Sequence, residues 1–153
     1  MKTYIDSSAL VAVYVPERFS DAARSAVQAA GHVPFTALHR LEVANAFALL
    51  AGRKLLTKDE HRAVLAHLSD DLHHQRLVPV SLDLEQVFSA AAELSRRHTV
   101  TFLTRSLDIL HVATAHLALC TTFVSADDRQ LKLARASGLK TLDITRRSRR
   151  SRV

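Results

Sequence analysis

The amino-acid sequence predicts an α/β fold on a mostly parallel sheet of four to five strands, and three observations predict it. Short apolar or β-branched runs alternate with longer segments of helical period along the chain. The runs are brief and mostly apolar, as strands covered on both faces are. No repeat or linker interrupts residues 1–145, and 48% hydrophobic residues suffice for one substantial core, so one domain is expected.

Residues 3–5 read as the first strand, 32–35 as the second, 77–81 as the third, 122–124 as the fourth and 140–142 as a short fifth. Leu41, Ala44, Ala48 and Ala51 form one apolar stripe on a helix near 38–51. Thr57 and Glu60 form a capping box before a helix to about residue 75, and Asp83 with Gln86 starts another to about residue 98. Residues 107–119 make a nearly apolar helix that should be deeply packed. Gly31, Gly52 and Gly138 sit where helices would end.

The formal net charge of +6 is mostly a terminal feature. Five of the 21 basic residues lie at 146–153, which leaves 16 basic and 15 acidic residues in 1–145. A Ser/Arg run with almost no apolar residues cannot offset its ordering entropy, so 146–153 is expected to be a disordered tail. It reads equally well as a set of phosphate contacts or as a solubilising end. No stretch approaches the ~20 apolar residues of a membrane span, and Asp6 falls where a secretory signal needs apolar residues. A cytoplasmic protein with no membrane partner is expected. The lone Cys120 excludes an internal disulfide and a cysteine-based zinc cluster, and reads as a small buried hydrophobe.

Carboxylates at the junctions of buried elements carry the functional signal. Asp6 follows the first strand, Glu42 falls in the first turn of the helix after the second, Asp108 opens the apolar helix, and Asp127 follows the fourth strand. Each alone reads as a helix starter that satisfies free N–H groups and the helix dipole. Jointly they read differently. In a doubly wound sheet, ligands bind beyond the carboxyl ends of the strands where the strand order reverses, and the first and fourth strands lie side by side there. Two carboxylates about 4 Å apart repel by roughly 4 kcal/mol at an effective dielectric of 20, so four need protons or a cation. Oxygen-only ligation suits Mg²⁺ or Mn²⁺ better than Zn²⁺.

These residues resemble a known family. The stretch from Tyr4 to Leu10 resembles the opening of PIN-domain proteins, particularly the VapC toxins of toxin–antitoxin pairs. Residues 105–115 resemble their third acidic motif, 123–127 their Thr/Ser-x-Asp motif, and Glu42 their helix-borne second acid. The resemblance implies a three-layer α/β/α fold and an endoribonuclease dependent on Mg²⁺ or Mn²⁺. Its implied substrate is RNA, tRNA or ribosomal RNA in particular. Its implied partners are a second copy in a homodimer and a VapB-like antitoxin. Carried over by position, Asp6, Glu42, Asp108 and Asp127 are the metal-binding and catalytic acids, with Ser8 and Ser125 steadying them by hydrogen bonds. Ser125 stands where Thr is frequent, and Asp128 beside Asp127 leaves the fourth ligand open, though the Ser125-x-Asp127 spacing favours Asp127.

Other residues are read more plainly. His73 and His74 are adjacent and point apart, while His111 and His116 are five apart and are expected to pack in or at the edge of the core. Asn45, Arg53, Lys54 and Arg105 read as solvated. Leu49, Leu50, Leu55, Leu56, Val64, Leu65 and Leu68 exceed the needs of one helix face, so helices within 38–76 either form a groove for an antitoxin helix and part of a dimer contact or pack on each other. A silent PIN-fold module that binds antitoxin or RNA without cutting is the alternative reading. An aspartyl-phosphate phosphatase is disfavoured, because Ser8 stands where its general acid would be.

Overall fold

A computed structural model describes residues 1–146. The chain runs β1 (Thr3–Ile5), α1 (Ser7–Tyr14), α2 (Ser20–Ala30), β2 (Val33–Phe35), α3 (Ala37–Gly52), α4 (Lys58–His73), β3 (Leu77–Pro79), α5 (Leu84–Phe102), α6 (Ser106–Leu117), β4 (Thr122–Ser125), α7 (Asp128–Ala136) and β5 (Lys140–Asp143). Every strand pair is parallel, as an alternation of strand and helix requires. The tail expected at 146–153 lies outside the described residues except for Arg146, which pairs with Asp143 at 3.2 Å. Among the described residues no helix is long and apolar enough to cross a membrane.

Period-two alternation in the central strands creates the three layers. Ile5 and Val124 enter one core with Leu10, Phe35, Phe47, Val64 and Leu68, while their neighbours Tyr4 and Phe123 enter a second with Val87, Ile109, Val112 and Leu133. Helices α1 to α4 therefore cover one face and α5 to α7 the other. Cys120 is buried. The expected capping box is present: Thr57 Oγ1 accepts from Glu60 N at 3.1 Å, and Glu60 Oε2 accepts from Thr57 N at 2.7 Å.

The sheet differs from the expected continuous one. It divides into β1-β4-β5, with β4 central, and a separate pair β2-β3. Val33 N donates to Arg76 O and Phe35 O accepts from Val80 N, so residues 33 and 35 face β3 and residue 34 faces β1. Residue 34 is proline, which has no N–H to offer. The imidazole of His39 fills the gap: its Nε2 bonds the carbonyl of Ile5 at 2.8 Å. Its Nδ1 accepts from the backbone N–H of Thr36 at 3.1 Å, so a histidine takes the place of Glu or Gln in the capping box of α3.

Two further differences concern edges and ends. β5 is not covered on both faces, since Lys140 and Leu142 are exposed at the sheet margin. Helix α5 runs to Phe102, beyond the expected end near residue 98, because Phe102 packs on the second core.

Candidate metal centre

Asp6 leaves β1 at its carboxyl end and begins α1, with Oδ1 accepting from Ala9 N at 2.9 Å. It is thus a cap, as the plain reading holds, but its second oxygen is engaged elsewhere. Oδ2 accepts from Ser8 Oγ at 2.8 Å and lies 3.1 Å from Ser125 Oγ. Parallel pairing makes the latter contact: Ile5 lies opposite Val124, and Asp6 N donates to Val124 O at 3.0 Å.

Ser125 is a junction. Its Oγ accepts from Asp127 N at 2.9 Å and lies 2.8 Å from the side-chain oxygen of Gln130. A hydroxyl has one hydrogen, so Ser125 cannot donate fully to both Gln130 and an ionised Asp6. Burial pushes the Asp6 carboxyl up, against the charge of His111 and the hydrogen bonds from Ala9, Ser8 and Ser125.

Asp127 begins α7, accepting from Gln130 N at 2.9 Å through Oδ1. Asp108 stands in the first turn of α6, and its carboxyl is raised by burial first and then by the charge of Asp127. Arg105, 3.5 Å away, offsets this only in part. Gln130 is fully buried and ties the two regions, donating from Nε2 to Asp108 O at 3.2 Å. Asp128 is exposed and paired with Lys132 at 2.7 Å. Asp127→Ala is therefore expected to cost about 1 kcal/mol through the lost cap, whereas Asp128→Ala should stay within about 0.5 kcal/mol. Thermal melts of both variants check this.

Glu42 reaches the same region from α3, but its Oε1 is taken. His111 Nε2 lies 2.5 Å from it, and Ser7 Oγ donates to it at 3.0 Å. Burial raises the Glu42 carboxyl, and the His111 bond and charge, with Ser7, more than offset this and hold it below its usual value. The structure thus joins Asp6, Ser8, Ser125 and Asp127 in one hydrogen-bonded chain, sets Asp108 within repelling range of Asp127, and pairs Glu42 with a histidine. Sequence reasoning placed His111 in the core, where it is, but missed its partners and missed Gln130. The available signals were the spacing of His111 one turn after Asp108 and of Gln130 three residues after Asp127.

Among the described residues, no three acid, imidazole or thiol side chains form a ready-made ligand group. The donors nevertheless fit a hard divalent cation. Asp6, Asp108, Asp127 and Glu42 offer carboxylate oxygens alone, Asp6 and Asp108 are held above their ordinary values by burial, and Mg²⁺ is commonly held by one or two carboxylates with waters completing its shell.

The family model for the PIN domain matches residues 3–136. A search of curated proteins finds no match. Among solved structures, FitAcB from Neisseria gonorrhoeae superposes with a TM-score of 0.66 at 15% identity, covering 94% of this chain and 98% of that one. VapBC2 from Rickettsia felis, bound to a DNA fragment from their promoter, gives 0.64 at 14% identity over 94% and 98%. PAE2754 from Pyrobaculum aerophilum gives 0.59 at 17% identity over 92% and 89%. At these identities the likeness is one of fold.

Proposed function

The chain belongs to the PIN-domain family, and on that premise we propose that it is a metal-dependent endoribonuclease acting as the toxin of a toxin–antitoxin pair. PIN domains are typically nucleases and generally use divalent metal ions; for this chain the proposed ion is Mg²⁺, with Mn²⁺ as substitute, and the proposed substrate is RNA. The observation that carries the reading is the convergence of Asp6 and Asp127 at the carboxyl ends of neighbouring parallel strands, with Asp108 close enough to Asp127 for their charges to interact. A purely structural pair of caps gains nothing from such repulsion.

In this reading residues 1–145 form the nuclease unit and Asp6, Asp108, Asp127 and Glu42 hold the ion. When bound, the ion offsets the carboxylate charge, draws a phosphodiester to the site and lowers the pKa of a water. Ser8 and Ser125 fix the Asp6 carboxylate so that it does not turn as substrate enters. Gln130 keeps the starts of α6 and α7 in register. The reaction is hydrolysis: a water oxygen bonds phosphorus in line, the bond from phosphorus to O3′ breaks, and O3′ gains a proton. Products carry 5′-phosphate and 3′-hydroxyl ends. One of the carboxylates takes the proton of the attacking water.

The partners proposed are a VapB-like antitoxin and a second copy of this chain. Two apolar surfaces support two partners. Leu49, Leu55 and Leu65 are exposed on and between α3 and α4, and Leu41, Leu84, Phe88 and Leu107 are exposed around an apolar groove of about 670 Å³ between α3, α5 and α6. Leu65→Glu is expected to abolish co-purification with the antitoxin. A monomer on size exclusion that still binds antitoxin with Leu65→Glu contradicts the partner assignment.

The alternative of a silent binding module draws on the engagement of Glu42 by His111. Total cellular RNA incubated with purified protein and Mg²⁺ or Mn²⁺, with and without EDTA, separates the two. Discrete cuts that appear only with metal support the nuclease; intact RNA under both metals, with no metal binding by calorimetry, supports the module.

A further inference from the structure

The proposed hydrolysis gives His111 no task, yet this buried side chain has as many partners as Asp6 or Ser125. It lies on α6 one turn beyond Asp108 and is 3% exposed. Its Nδ1 is 2.7 Å from the hydroxyl of Tyr4, which is wholly buried on β1 two residues before Asp6. Its Nε2 faces Glu42 Oε1 at 2.5 Å and Ser7 Oγ at 3.3 Å, Ser7 being the residue after Asp6. The ring therefore ties β1, the start of α1, α3 and α6 together beside Asp6 and Glu42.

Stability does not account for this arrangement. A largely buried imidazole–carboxylate pair loses about as much in desolvation as it regains in attraction, and packed apolar side chains in place of both partners are often as stable or more so. A histidine that only packed would not need both nitrogens on side chains flanking Asp6. Orientation accounts for it better. With the donors of His111 and Ser7 both on Oε1, the Glu42 carboxylate cannot rotate, and Oε2 takes no hydrogen bond from any described residue.

We propose that His111, braced by the Tyr4 hydroxyl, is a positioning residue that locks Glu42 through Oε1, so that Glu42 serves the acidic site through Oε2 alone. This rests on the nuclease reading. Partners of this kind, bonded to a ligand rather than to the metal, typically carry a 10–100-fold effect on metal affinity or activity.

The test uses the full-length protein and three readouts: Mn²⁺ affinity by calorimetry without RNA, kcat and KM on an RNA substrate, and the melting midpoint. His111→Leu is expected to weaken Mn²⁺ binding and lower kcat by about 10–100-fold, with the KM for RNA within about twofold, both read below a melting midpoint that falls because the Tyr4 hydroxyl and Glu42 lose a partner. His111→Gln, which keeps a donor near the Nε2 position, is expected to recover most of that loss. If His111→Leu does not fold, His111→Asn replaces it, because its amide reaches only the Nδ1 position, and the same loss is expected. A folded His111→Leu or His111→Asn with wild-type Mn²⁺ affinity and kcat overturns the proposal, as does a His111→Gln protein as impaired as His111→Leu. A wild-type protein that neither binds Mn²⁺ nor cuts RNA overturns the nuclease reading and this inference together; an active wild type matched by its variants overturns the inference alone.

Discussion

Asp6→Asn is expected to lower RNA cleavage by more than about 100-fold while leaving the protein at least as stable as wild type. Outer-shell partners alone carry effects of about 10–100-fold, so a direct ligand should carry more. The stability half follows from burial, which raises the Asp6 carboxyl above its ordinary value. A group raised on folding contributes stability below its unfolded pKa and loses it as pH rises through the folded value, so above that range the Asp6 carboxyl is a burden on the metal-free fold. An asparagine keeps the acceptor for Ala9 N and removes the charge. Scanning calorimetry without metal should therefore show an equal or higher midpoint for the variant, a trade of stability against function. Added Mn²⁺ should raise the midpoint of wild type by mass action and leave that of Asp6→Asn unmoved. Cleavage within about threefold of wild type would remove Asp6 from the proposed machinery.

The second large effect is structural. His39→Ala is expected to destabilise the fold by about 3–5 kcal/mol, because it orphans the buried carbonyl of Ile5 and the N–H of Thr36 and leaves a cavity among aromatic rings. Burial first, and then the charge of His111, lower the His39 pKa to about 3, against the bonds and charge of Ile5 and Glu42. A histidine depressed on folding contributes stability above its unfolded value, and this is lost as pH falls from about 6.5 toward 3, by a few kcal/mol. The raised carboxyls of Asp6 and Asp108 act in the opposite sense. The comparison with His39→Gln isolates the histidine: urea unfolding from pH 7 to pH 4 should show a flatter loss for the variant. Parallel pH curves would contradict a neutral buried His39.

The contrast between His39 and Asp6 shows what was legible in the sequence. Asp6 and Asp127 each stand directly after a short apolar run, so local pattern located both and the parallel order of the strands brought their regions together. The hydroxyl at Ser125 came from the family resemblance, through the Ser-x-Asp motif that ends at Asp127. His39 and His111 were not legible, because their meaning depends on contacts 34 to 107 residues away in sequence, with Ile5, Glu42 and Tyr4. Histidine periodicity tests only for partners on the same helix. The break between β1 and β2 was half legible, since Pro34 announces a missing donor but does not say what replaces it. β5 was misjudged because Thr141 and Leu142 suggest burial, while Lys140 and Asp143 mark an edge that charged residues commonly guard. At the end of α5, Thr99, Val100 and Thr101 have weak helix propensity, and the packing of Phe102 on the second core overrides it.

The most direct test is anomalous scattering from crystals of this protein soaked in Mn²⁺. A peak beside Asp6, Asp108 and Asp127, in direct contact with one or two carboxylates at about 2.1 Å and otherwise with water, is the result expected. A Mn²⁺ peak confined to other parts of the surface, at concentrations that support RNA cleavage, would contradict the assignment of these carboxylates as the metal centre.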